Sequence, residues 1–276
     1  MDRPPEPLPT GVASLPPVPS SYARALDAAL AALAIELPVD ARAAIDDHVR
    51  LLLAWNAAIN LTAIRDPAEI AVRHVADSLL GLAVLRETGV EAFIDLGSGG
   101  GFPGIPLAIA LPGVDALLVE SVGKKARFLE TAVAAIGAAG RVAVAAVRGE
   151  TLGHDPVHRG QWPAVVARAV APLDDLVELA FPLLRRGGLL LAWKSGDPDD
   201  QAGLGGEIRA AMERLGDGTI KVHPSVRDAL GATRSPARDA IAEAIGDHRI
   251  VTVQRGSEAV PDAWPRDPGV RRRRRS

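Results

Sequence analysis

The sequence predicts a doubly wound α/β sheet with a helical N-terminal cap. Three observations carry that expectation. The apolar period changes from helical to strand-like at Ala92, short runs that are apolar on both faces then alternate with helical stretches, and a glycine-rich turn follows the first run.

Taken in order, residues 1–20 hold Pro4, Pro5, Pro7, Pro9, Pro16, Pro17 and Pro19. So many prolines exclude a helix or central strand, and a disordered Pro-rich tail is expected. Leu26, Leu30, Leu33 and Leu37 recur at helical spacing, and Ile45, Val49, Leu52 and Leu53 do so after the Leu37-Pro38 break. A third helical stretch from Pro67 to Glu87 ends near Gly89, which completes a cap over residues 21–90. Strands are expected at Ala92–Leu96, Ala116–Glu120, Val142–Val147, Ala164–Ala167 and Leu189–Trp193, with weaker ones at Thr219–His223 and Arg249–Gln254. Being apolar on both faces, they are read as a parallel sheet. A helix fits Ala237–Ile245. Residues 91–256 are therefore expected to form the ligand-binding domain, and 257–276, ending in Arg271 to Arg275, a basic flexible tail.

Composition narrows the chemistry. The 276 residues are 48% hydrophobic and 24% charged, ordinary globular usage, so global disorder is excluded. There is no cysteine, which removes disulfides, thiolate metal sites and cysteine nucleophiles. A net charge of −3 confines any nucleic-acid site to a local patch. No apolar run reaches membrane-spanning length, and the N-terminus lacks the order of a signal peptide, so a cytoplasmic protein without membrane contact is expected. A monomer is expected as well, although no sequence feature fixes the oligomeric state.

The sharpest motif runs from Phe93 through Asp95, Gly97, Gly99, Gly101, Phe102 and Gly104. A strand enters glycines that let the backbone turn tightly and approach a ligand, and a helix follows. Gly99, Gly101 and Gly104 satisfy the G-x-G-x-x-G dinucleotide pattern; Asp95, Gly97, Gly99 and Gly101 satisfy the D-x-G-x-G-x-G pattern of S-adenosylmethionine methyltransferases. Glu120, ending the second strand, suits ribose hydroxyls under either reading. Asp95 favours the methyltransferase: a carboxylate before the turn suits a cationic amino-acid end, whereas a pyrophosphate gains nothing from it. An NAD(P)-dependent oxidoreductase and a non-catalytic RNA- or ribosome-binding module stand as the alternatives.

Without cysteine, methylation through a covalent adduct at pyrimidine C5 is excluded. Arg168-Ala-Val-Ala-Pro172-Leu stands where amino-group methyltransferases carry Asn/Asp-Pro-Pro-aromatic, which disfavours those acceptors. Guanine N7 is a good remaining acceptor, because its lone pair attacks the methyl with no proton to remove. No catalytic residue is therefore nominated.

Several ordered motifs together resemble one family. Trp55-Asn56 to Asn60-Leu-Thr, Arg73-His74-Val-Ala-Asp77-Ser78, the loop from Asp95 to Ile109, Leu118-Val-Glu120 with Lys124-Lys125, Arg148-Gly149-Glu150 and Arg168 to Leu173 are similar to the glucose-inhibited division protein B family. These are bacterial 16S rRNA guanine-N7 methyltransferases, and the resemblance covers roughly residues 46–255. It implies a Rossmann-like class I methyltransferase sheet, S-adenosyl-L-methionine as cofactor, and methylation of guanine 527 in the 530 loop of 16S rRNA, free or in the small ribosomal subunit. Gly97 and Phe102 match family cofactor contacts in the loop, Gly149 and Glu150 the pair after the third strand, and Arg168 the arginine after the fourth. With Asp95, Gly99 and Glu120 they make the expected cofactor set.

Asn56, Asn60, Arg73, His74, Asp77, Lys124, Lys194 and Arg266 are the candidates for substrate or RNA contact, although Asn and Asp also cap helices and bridge turns. Arg266 lies in Trp264-Pro265-Arg266, similar to a Tyr-Pro-Arg motif in some family tails. The chain departs from the family at Pro163, where an Asp is usual, and at Lys194-Ser195-Gly196, where Lys-Gly is usual. His154 and His158 are spaced i, i+4, but Pro156 lies between them and no third ligand is placed, so no metal is expected.

Overall fold

The computed structural model describes residues 7–195, 203–231 and 235–269. The Arg271 to Arg275 run and Gly196 lie outside them. The cap contains α1 (Ser20–Ala32), α2 (Val39–Ile59), the short α3 (Pro67–Ile70) and α4 (Leu82–Thr88). Then come β1 (Ala92–Leu96), α5 (Gly104–Ala110), β2 (Asp115–Val119), α6 (Gly123–Ala135), β3 (Val142–Ala145), α7 (Gly149–His154), β4 (Trp162–Arg168), α8 (Leu173–Ala180) and β5 (Leu184–Lys194). The chain continues through α9 (Gly203–Leu215), β6 (Gly218–Val222), α10 (Val226–Gly231), α11 (Pro236–Ile245) and β7 (Arg249–Arg255).

The strands form one seven-stranded sheet in the order β3-β2-β1-β4-β5-β7-β6. Side chains alternate across it: Phe93, Leu118, Val166 and Leu191 face the core shared with the cap, α5 and α6, while Ile94, Leu117, Val165 and Leu190 face the core shared with α8 and α9. Both faces are thus covered, as the doubly apolar runs require.

The expected all-parallel sheet needs correction. β7 pairs antiparallel with both β5 and β6. The reason lies in the connection: α10 and α11 do not cross a face of the sheet but put Val226, Leu230, Ile241 and Ile245 into the core shared with the cap. The chain enters β7 from the end at which it left β6, with His223 and Val226 donating to the carbonyls of Ile250 and His248.

The expected disordered tail is also corrected for the residues described. Prolines leave carbonyls that no ladder satisfies, and α2 supplies donors for them. The Arg50 guanidinium donates to the carbonyls of Val12 (2.7 Å), Pro16 (2.8 Å) and Leu15, and the Trp55 indole N–H to Pro9 (2.8 Å). Leu8, Val12, Leu15 and Val18 pack beneath. Residues 257–269 likewise fold back onto α7 and α8 rather than forming a flexible tail.

The third cap helix runs through from Pro67 to Thr88 much as expected, but its hydrogen-bond pattern changes along the way: between α3 and α4 a π-turn spans Ala71–Ala76 and a tight turn Leu79–Gly81. The π-turn lies at the edge of the site. Among the described residues, no helix is long and apolar enough to cross a membrane.

Candidate active site

The first strand ends in a loop whose Gly97, Gly99 and Gly101 all hold positive φ, a conformation costly for any residue with a Cβ. The amides of Gly97 and Ser98 donate to the Val119 carbonyl at 2.8 and 3.0 Å, which fastens the turn to the end of β2. Glu120 completes the loop. Its two carboxylate oxygens accept from the Gly99 N–H at 3.0 Å and the Val122 N–H at 2.8 Å. Each oxygen keeps a second lone pair for a ligand hydroxyl.

Beside this loop opens a cavity of about 270 Å³ at the C-terminal ends of the strands, where open α/β sheets bind ligands. Gly97, Glu120, Ser121, Gly149, Glu150, Val170, Asp175 and Pro268 are among its lining residues. Of the expected cofactor set, Gly97, Glu120, Gly149 and Glu150 therefore meet at one surface, and Gly99 stands directly behind Glu120.

Asp95, Phe102 and Arg168 sit elsewhere. Asp95 is fully buried beneath the loop, and its Oδ2 accepts from the Gly104 N–H at 3.0 Å at the start of α5. It does not face the cavity, contrary to the expected contact with a cationic ligand end. Burial raises its pKa to about 6, against the lowering effect of the hydrogen bond from the Gly104 N–H. Gly104 is required by this approach: a Cβ there would lie 2.4 Å from Asp95 Oδ2.

Phe102 is buried between two imidazoles, with His48 centred 4.8 Å away and His74 stacked on it at 4.9 Å. The Arg168 guanidinium lies 5.5 Å above its ring. Arg168 in turn donates to Asp77 Oδ2 (2.8 Å), to the Arg73 carbonyl (3.0 Å) and to His74 Nδ1 (3.1 Å). The π-turn leaves that Arg73 carbonyl turned toward the guanidinium.

Because arginine only donates, Nδ1 of His74 is the acceptor, so Nε2 carries the proton and donates to Thr62 Oγ1 at 2.7 Å. Asp77 also accepts through Oδ1 from His248 Nδ1 at 3.0 Å, while its backbone carbonyl accepts from Trp193 at 2.7 Å. Asp77 thus ties the π-turn to β4, β5 and the start of β7. His48, His248 and the donor role of Trp193 were missed from sequence, because their partners lie far away along the chain and no local spacing marks them.

The substrate candidates separate in the same way. Asn56 is buried, donating to the Thr62 carbonyl (3.1 Å) and accepting from the Thr62 N–H (2.9 Å), so it shapes the loop that carries Thr62. Asn60 ends α2 in a left-handed conformation and accepts from Arg65 at 2.9 Å. The Lys194 ammonium donates to the Ala171 carbonyl at 2.6 Å, and burial lowers its pKa; it braces the cavity rim. Arg73 and Lys124 are exposed. Arg266 is not an open RNA contact, for its guanidinium is committed to the buried Glu178 carboxylate.

The histidines set a pH prediction. Burial lowers His48 to about 4 while its Nε2–H donates to the Gly100 carbonyl at 2.8 Å, and burial with Arg168 lowers His74 to about 3. Unfolded histidines titrate near 6.5, so below that pH the unfolded chain binds more protons and stability falls. For His48 the window runs from 6.5 to about 4 and is worth about 3 kcal/mol. Asp95 acts oppositely, adding stability as pH falls from about 6 toward 4, but over a smaller shift than the two histidines combined. Denaturant titrations should therefore lose stability from pH 7 to 4, and H48Q should lose about 3 kcal/mol less; equal losses would exclude His48 as a source.

A glycine loop after β1, an acid gripping that loop from the end of β2 and a reversed last strand define the class: this is a class I S-adenosylmethionine-dependent methyltransferase. Residues 41–214 match the GidB family, rRNA small subunit methyltransferase G, and the chain belongs to that family. The chain is 47% identical over 173 residues to ribosomal RNA small subunit methyltransferase G of Roseiflexus castenholzii, covering 63% of this chain and 72% of the relative. Its likeness to the protein of the same name from Symbiobacterium thermophilum extends further, at 34% identity over 91% of this chain and 96% of the relative. The Pelotomaculum thermopropionicum protein is 38% identical over 83% of this chain. Family membership sets aside the nicotinamide reading of the same glycines.

Proposed function

We propose that the chain, as a cytoplasmic monomer, transfers the methyl of S-adenosylmethionine to N7 of guanine 527 in the 530 loop of 16S rRNA. The observation that carries the reading is Glu120: a carboxylate held on two loop amides, at a cavity that also exposes Gly149 and Glu150, suits the hydroxyls and amino group of a nucleoside. The cofactor supplies an activated methyl on sulfur. The N7 lone pair forms the new C–N bond as the C–S bond breaks, its electron pair stays on sulfur, and no proton moves. The protein's task is then orientation and approach distance. This agrees with a site whose buried histidines are both neutral and engaged in holding its frame. Arg73 and Lys124 have the exposure that phosphate contacts require.

The test is transfer of labelled methyl to 16S rRNA, offered naked and in small subunits from cells lacking the modification. The expected result is label at N7 of the 530-loop guanine with at least one substrate. No label with either, from protein that binds S-adenosylhomocysteine, would overturn the acceptor and favour a binding module.

A further inference from the structure

We infer that the C-terminal strap, residues 257–269, is a wall of the cofactor cavity and that Arg266 is the residue that positions it. The inference rests on S-adenosylmethionine occupying that cavity. After β7 the chain turns back, and side chains of the methyltransferase core bind its backbone along its length. Arg159 donates to the carbonyls of Trp264 (2.7 Å), Pro261 (2.9 Å) and Val260 (3.1 Å) while also holding Gly153 (2.7 Å). The His154 Nε2–H donates to the Pro265 carbonyl at 2.8 Å. Gly153 has no side chain at the crossing, where a Cβ would come within 2.7 Å of Pro265.

The last anchor is the strongest. Glu178 on α8 is 2% exposed, and it accepts from the Arg266 backbone N–H at 2.9 Å and from its guanidinium through both oxygens. The Trp264 ring lies 4.4 Å from the same guanidinium. Unseating Arg266 would leave a buried carboxylate uncompensated, so the pair holds the strap in one place.

Arg266 is two residues from Pro268, which lines the cavity with Gly149, Glu150 and Asp175. One short helix, α7, begins with Gly149 and Glu150 and ends at His154, so cavity wall and strap anchor belong to the same element. A strap serving only to cover α7 and α8 would need nothing beyond its anchors. This one continues past them to the cavity with a residue whose φ is fixed.

The experiment is calorimetric titration of S-adenosylhomocysteine into the full chain, a chain ending at Gly269, a chain ending at Asp267, and R266A. The chain ending at Gly269 loses the arginine run but keeps Pro268, and should bind within twofold of the full chain. The chain ending at Asp267 keeps the Arg159, His154 and Glu178 anchors yet should bind at least fivefold more weakly, as should R266A. In R266A the change should fall on the KM for the cofactor rather than on kcat, which a general loss of folded protein would not produce. A rise in Kd below fivefold in either the Asp267 chain or a folded R266A overturns the inference. Failure of the full chain itself to bind would instead overturn the cofactor reading beneath it.

Discussion

Replacing Glu120 with Ala is expected to weaken S-adenosylhomocysteine binding about 100-fold, with loss of methyl transfer at ordinary cofactor concentration. Two effects add. The carboxylate is the partner of the Gly99 and Val122 amides, and each charge-assisted hydrogen bond is worth about 1.5–3 kcal/mol. Glu120 also lines the cavity, where ribose hydroxyls would use its remaining lone pairs. E120Q keeps the shape and part of the accepting capacity, so its loss should be intermediate. Calorimetry decides, together with the thermal shift that saturating ligand gives the wild type. An E120A affinity within threefold of wild type would remove Glu120 from the cofactor site.

Asp77→Ala should be the most destabilising change at the edge of the site. Its side chain is 1% exposed and pairs with Arg168, itself 12% exposed, and with His248. Removing one partner of a buried ion pair leaves an uncompensated charge, at a cost of about 3–5 kcal/mol. In a chain of this size that lowers Tm by about 5–10 °C. The effect should reach function, because a released Arg168 no longer fixes His74 over Phe102 and the π-turn loses its tie to β4. Thermal unfolding and methyl transfer measured on the same preparation check both effects. A Tm drop of under 2 °C would mean the pair contributes nothing net.

The residues that sequence reading brought correctly to one surface are those at strand ends. Gly97, Glu120, Gly149 and Glu150 follow β1, β2 and β3, and in an open α/β sheet those ends converge by topology alone. Asp95, Phe102 and Arg168 do not line that cavity; they belong to the frame around it, which sequence reading did not separate from the cavity itself. Asp95 turned inward because the amide of Gly104 lies within reach, and Arg168 turned toward the cap because Asp77, His74 and a carbonyl of the π-turn meet it there. Arg266 read as an open cation because nothing local announces a buried Glu178.

The alternation of apolar runs with helical stretches, the glycine turn and the acid after the second strand determined the layered sheet, the cap and the place of the cavity at the strand ends. These are local signals, fixed by backbone sterics and by hydrophobic period. The direction of β7, the ordering of residues 7–19, the strap and the Asp77 network were decided only by the tertiary structure. Each depends on donors and acceptors far apart in sequence that become partners once the cores on the two faces of the sheet have closed, when a buried charge or carbonyl must be met by whatever side chain the packing has brought near.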